Sequence, residues 1–241
     1  MAQDEHPARL DHVREFYAIL GELSDQLGGP RILGECHGRM KWPQRGVYFF
    51  FEGGESRSDS GEGSRVVRVG THAVSAGSRT TLWNRLRQHR GNLKGGGGNH
   101  RGSIFRRHTG NALIASGWTG PGRDTWGKGN SAPREIRQVE IDLERQVSET
   151  IGAMQILWIA VEDEPGLQSL RSVIERNSIG LLSNLSHLGA PIDPASQSWL
   201  GLQSPHSSVS SSGLWNVNHT EDSYDPGFLR LFRELAGTTR A

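Results

Sequence analysis

Apolar positions at helical spacing open the chain. Leu10, Val13, Phe16, Tyr17, Leu20 and Leu23 recur at three- and four-residue intervals and predict an amphipathic helix over 6–27, stopped by Gly28-Gly29-Pro30. The pattern over 31–42 is ambiguous, and Pro43 delays the first strand. Val47 to Phe51 is then a continuous apolar run, as expected of a strand buried on both faces. A Gly- and Ser-rich loop over 52–64 leads to Arg65–Thr71, which alternates and is rich in β-branched residues, so the two runs read as an antiparallel hairpin. Thr80 or Thr81 is placed to cap the next helix, in which Leu82 and Leu86 face inward while Arg85 and His89 share another stripe. Four consecutive glycines within 90–99 predict a flexible tip. Further on, Ile136, Val139, Leu143 and Val147 predict a helix over 134–151, and Met154–Val161 a third strand. Leu167, Leu170, Val173, Ile174 and Leu181 predict a helix over 165–182. Glu175 lies about 100° round that helix from Ile174, on the flank of its buried side. The tail from Leu188 is Pro- and Ser-rich and ends in a helix over 226–235. The pattern predicts an α+β fold: a small three-stranded, mostly antiparallel sheet flanked by helices, with an N-terminal helix and a C-terminal extension.

Composition narrows the class. At 241 residues, with 34% hydrophobic and 22% charged residues, the chain suits one large or two small soluble domains. No apolar run approaches the roughly 20 residues of a membrane span, and the charged start MAQDEHPARL lacks an apolar signal core. The single cysteine, Cys36, excludes an intramolecular disulfide and a multi-thiolate zinc site, and these features together predict a cytoplasmic protein. Net charge is only +1, but its distribution is uneven. Between Gly63 and Arg123 there is no Asp or Glu, while eleven Lys and Arg and four His residues fall there. That asymmetry is the footprint of a phosphate-backbone binder.

Candidate chemistry lies in the same stretch. Gly46-Val47-Tyr48 on the first strand, Arg68-Val69-Gly70 on the second and Leu82-x-x-Arg85-Leu86-x-x-His89 on the following helix stand in an order that resembles the GIY-YIG nuclease family, in its restriction-endonuclease-like branch. Glu175, on the helix after the third strand, matches the glutamate of that family's later helix. The resemblance spans about 46–184. It implies a metal-dependent DNA endonuclease in which Tyr48 handles the nucleophilic water and Arg85 binds the scissile phosphate. His89 then relays a proton or positions Tyr48, with His72 a weaker candidate for that work. Glu175 is the single protein ligand to Mg²⁺ or Mn²⁺. Arg68 stands where the family has a second tyrosine. A phenol ionises near a pKa of about 10, so it becomes a base only among cations, and Arg68 is expected to stabilise a tyrosinate on the neighbouring strand.

Domain boundaries follow: a helical arm over 1–45, a nuclease core over 46–188 with a basic, Gly-rich insertion over about 91–133, and an extension over 189–241 packed on the core. Arg87, Lys94, Arg101, Arg106 and Arg107 are the expected DNA phosphate contacts. The family's late asparagine has three candidates here: Asn184, Asn216 and Asn218. A palindromic target would call for a homodimer. A restriction-like or defence role is the preferred subtype, with a repair nuclease and an inactive nucleic-acid-binding protein as alternatives. A metalloenzyme ligated by His89, His100 and His108 is the rival from a different class.

Overall fold

The computed structural model describes residues 5–240 apart from Leu93, Ser186 and Leu188. Its sheet has four strands, β1 (Arg31–Ile32), β2 (Gly46–Ser56), β3 (Ser64–Gly70) and β4 (Gln155–Ala160), in the order β1-β4-β2-β3. Every pairing is antiparallel. The expected count of three is corrected by β1, which sets Arg31 opposite Ile156 and Ile32 opposite Gln155. Two residues are too few for any periodicity to show. β2 lies between β4 and β3, which explains its unbroken apolar run.

Alternation along β2 divides the core. Phe49 points to one face, where its ring lies 5.8 Å from Phe16 of α1 (Glu5–Leu27) and 5.5 Å from Phe232 of α8 (Phe228–Thr238). Tyr48 and Phe50 point to the other, toward His89 of α2 (Leu82–Arg90) and Phe105 of α3 (Ile104–Ala115). The N-terminal helix, the sheet and the C-terminal helix therefore share one hydrophobic core. Thr81, the second of the two candidate caps, accepts the Asn84 N–H at 3.2 Å and starts α2. The predicted helix over 134–151 is two, α4 (Arg134–Val139) and α5 (Ile141–Gly152), broken at Glu140. α6 (Leu170–Leu182) begins at the Ser169 cap, whose oxygen accepts the Ser172 N–H.

The outer edge of β3 is closed by the C-terminal extension. The Trp215 N–H donates to the Val67 carbonyl at 2.7 Å. The Asn216 side chain then acts as a strand would: Oδ1 accepts the Val69 N–H at 3.1 Å and Nδ2 donates to the Val69 carbonyl at 2.8 Å. This pairing buries β3 on its outer side and removes a free edge. Trp215 is fully buried, and its Nε1–H joins that of Trp199 on Glu52 Oε2, at 3.0 and 2.9 Å.

The glycine run is a packed turn rather than a flexible tip. Asn92 and Gly97 bridge, a Cβ on Gly97 would lie 2.5 Å from the Glu144 carbonyl carbon, and one on Gly98 would meet the Arg106 guanidinium. Glycine is needed because backbone and side chains of α5 and α3 come this close.

Two expected DNA contacts are corrected by the same region. Arg106 is 0% exposed; Nε reaches Glu144 Oε2 at 3.0 Å, and the terminal nitrogens reach the His89 carbonyl at 2.9 Å and Ser148 Oγ at 2.9 Å. Burial would raise the Glu144 carboxyl, but hydrogen bonds from His100 and the charge of Arg106 hold it below its ordinary value. Arg101 forks onto Glu140 at 2.6 and 2.8 Å with its side chain only 4% exposed. Both cations neutralise carboxylates inside the protein. Arg87 and Lys94 are exposed, and Arg107 is half-buried with a bond to the Gly129 carbonyl. Arg106→Ala would leave Glu144 buried with less compensation and is expected to cost about 3–5 kcal/mol in urea unfolding; a loss below about 1 kcal/mol would contradict a structural role.

Candidate active site

Tyr48 and Gly70 are direct partners across β2 and β3. The Tyr48 ring lies over Gly70 so closely that a Cβ there would fall 2.5 Å from ring carbons Cε2 and Cζ. A glycine is required at this cross-strand position, and it directs the phenol toward α2. Tyr48 Oη meets His89 Nε2 at 2.8 Å, and His89 Nδ1 meets Ser103 Oγ at 2.8 Å. Ser103 is the cap of α3 and also accepts the Arg106 N–H at 3.3 Å.

His89 is wholly buried, and burial, followed by the charges of Arg85, Arg68 and Arg106, holds its pKa well below the usual imidazole value. The ring is therefore neutral. A neutral ring surrounded by cations is a poor proton acceptor but a sound donor. Its two nitrogens are both engaged, Nε2 with the Tyr48 oxygen and Nδ1 with Ser103 Oγ, so the ring orients the phenol.

Arg68 is buried beside this pair, its guanidinium 4.7 Å from the Phe105 ring centre and bonded to the Trp215 carbonyl at 2.5 Å. Burial pulls its pKa down, the phenol of Tyr48 pulls it up, Arg85 pulls it down and Glu175 pulls it up. Its Nε has no partner among the described residues. Glu175 of α6 is half-buried, and Oε1 accepts the Thr71 N–H at 3.1 Å. Burial raises its carboxyl above the ordinary value, against the pull of Arg68, the Thr71 N–H, His219 and Arg85. Arg85 is half-buried, with Gln88 Oε1 at 2.7 Å.

Tyr48, Arg68, Arg85 and Glu175 line one open cavity of about 470 Å³. His89 stands behind it, reaching the cavity through the Tyr48 oxygen. Sequence reasoning missed three residues here: Thr71, Arg176 and His219 also line the cavity, as does Asn218, one of the three asparagine candidates. Asn218 and His219 sit on a loop brought in by the extension, after a Pro- and Ser-rich stretch whose spacing carries no helical or strand period. The asparagine candidates separate clearly. Asn184 binds Arg9 and the Ile192 backbone away from the cavity, whereas Asn216 and Asn218 both line it, Asn216 with its side-chain amide bonded to Val69 and Asn218 exposed.

His72 is tied through Nδ1 to the Thr80 carbonyl at 2.9 Å and does not line the cavity. The three histidines of the rival metal site also part company. His89 joins Tyr48, His100 bonds Glu144 and stacks on Trp126, and His108 meets the His206 ring. Among the described residues no three His, Cys, Asp or Glu side chains converge as a metal site. A divalent ion at this cavity would take the Glu175 carboxylate, with water and phosphate completing its shell. That donor set suits a hard cation, since one Glu175 oxygen is held by Thr71 and the carboxylate lies in the cavity wall.

Residues 7–241 match the GIY-YIG domain. The chain belongs to the GIY-YIG family. No curated protein and no solved structure matches it. At the level of the family this is a nuclease domain, and GIY-YIG nucleases generally depend on a divalent metal. Among the described residues, no helix is long and apolar enough to cross a membrane.

Two outcomes follow from this geometry. Gly70→Ala is expected to force Tyr48 from its place and cost about 1–3 kcal/mol; an unchanged urea midpoint would refute the close approach. Burial pushes His72 and His108 down to about 4 and His89 lower than its usual range. Such groups bind protons in the unfolded chain first, so stability is full above about pH 6.5 and falls as pH drops toward 4. Each histidine contributes a loss of about 1.4 kcal/mol per pH unit in that window. Thermal melts from pH 7.5 to 5 should show a level midpoint and then a decline, whereas a level midpoint throughout would contradict neutral burial.

Proposed function

We infer that the protein is a divalent-metal-dependent DNA endonuclease. The observation that supports this most is the chain Ser103–His89–Tyr48 ending at a cavity that Arg68, Arg85 and Glu175 also line. Phosphodiester hydrolysis needs a base for water and cations for charge that builds on the phosphoryl oxygens. Tyr48, held by His89 at the cavity, handles the attacking water as its proton acceptor. Arg85 holds the scissile phosphate through its planar fork. Arg68, whose Nε has no partner among the described residues, serves as a fixed positive charge beside the phosphoryl oxygens. Glu175 would hold the Mg²⁺ or Mn²⁺ ion, which would supply Lewis-acid stabilisation of developing negative charge when bound. Asn218 is the family's late asparagine and contacts substrate from the opposite wall.

Exposed Arg87 and Lys94, with the half-buried Arg107, are the phosphate contacts of the flanking duplex. Within this class a restriction-like or defence role is favoured, because the segment over 91–133 reaches the cavity wall through Ile104 and adds surface beside the cleavage site.

Supercoiled plasmid incubated with Mg²⁺ should be cut, and EDTA should abolish cutting. Glu175→Gln, Tyr48→Phe and Arg85→Ala should each lower the rate by about 10²–10³-fold or more while the proteins stay folded. Retained cutting in Glu175→Gln would refute the metal assignment. DNA binding with no cutting in Mg²⁺ or Mn²⁺ would identify a binding protein that has lost catalysis.

A further inference from the structure

The proposed chemistry leaves His219 unused. This residue sits at φ 63, in the left-handed region that a residue with a Cβ adopts only where its surroundings enforce it. The enforcement is visible on both sides. Upstream, Asn216 is clamped to Val69. Downstream, Ser183 Oγ donates to the Thr220 carbonyl at 2.6 Å, and the Asp225 N–H donates to Asn177 Oδ1 at 2.7 Å. Gly180 of α6 admits the Asp222 backbone so closely that a Cβ would lie 2.8 Å from its carbonyl oxygen. The loop is thus nailed to β3 and to α6, the helix that carries Glu175.

The side chain is oriented as well. His219 Nδ1 meets Asp222 Oδ2 at 2.7 Å, so the carboxylate takes the Nδ1–H and leaves Nε2 with its lone pair. His219 and Glu175 line the same cavity. A carboxylate–imidazole pair that lines one cavity with a second carboxylate is an arrangement that supports a metal-ligating histidine, because the outer carboxylate fixes the tautomer and the ring orientation.

We propose that His219, oriented by Asp222, is a second protein ligand of the divalent ion held by Glu175. This deepens the metal assignment above and rests on it. Its consequence is selectivity. An all-oxygen site binds Mg²⁺ and Mn²⁺ with little preference, whereas an imidazole nitrogen favours the transition metal. The protein is then a manganese-preferring member of its class.

The test is calorimetric titration of the full chain with Mg²⁺ and with Mn²⁺, without DNA. The Mn²⁺ to Mg²⁺ affinity ratio should be about tenfold or more in the wild type and should collapse in His219→Asn, where asparagine tolerates the left-handed backbone. Asp222→Asn should lower Mn²⁺ affinity by about tenfold. A ratio unchanged in His219→Asn overturns the proposal. Glu175→Gln separates the two readings. If it abolishes binding of both ions while His219→Asn leaves the ratio intact, only the second ligand fails; if it leaves binding intact, the metal assignment to Glu175 fails as well. A far-UV spectrum and melting curve for each variant distinguish lost ligation from lost folding.

Discussion

A phenol laid across a glycine joins the two strands at the centre of this protein. Tyr48 and Gly70 face each other in register, and the contact is tight enough that no larger residue fits opposite the ring. Tyr48 cannot rotate away, because its oxygen is held by His89 and His89 is held by Ser103. Ser103 in turn begins α3. A strand register, a helix start and the orientation of a phenol hydroxyl are therefore one linked condition, and disturbing any member disturbs the others.

The cations of the basic stretch do two kinds of work. Arg101 and Arg106 carry charge into the interior, where Glu140 and Glu144 meet it. Arg68 is also buried, but its neighbours are a phenol, another arginine and a single carboxylate, so its charge is left unbalanced beside the reacting groups. Exposed Arg87 and Lys94 face solvent. Local sequence composition is the same for all of them. What separates them is the position of glutamates on α5 and at the α4–α5 break, more than thirty residues later.

This explains how far the sequence could be read. β2, β3, β4 and the long helices were legible because burial on one or both faces leaves a period in the residues themselves. The placement of Tyr48, Arg85, His89 and Glu175 on a strand and two helices was legible because those elements carry a period. β1 was not, since two residues hold no period. The glycine run was misread because close packing and free rotation call for the same residue. The expected roles of Arg101 and Arg106 failed because their partners lie far along the chain. His219 was hidden, and Asn218 could not be told from Asn184 and Asn216, for a similar reason: only tertiary contacts from Asn216 to β3 and from Asn177, Gly180 and Ser183 to the later loop bring them to the cavity.

Closure of the β3 edge by residues 214–216 also ties completion of the site to the late stages of synthesis. The hairpin and α2 leave the ribosome early, and α6 well after them, yet the wall bearing Asn218 and His219 emerges only later. Until then β3 exposes its backbone and the cavity stands open on one side. The wall bearing Asn218 and His219 therefore depends on a contact between segments 147 residues apart, made only when the chain folds back on its first hairpin.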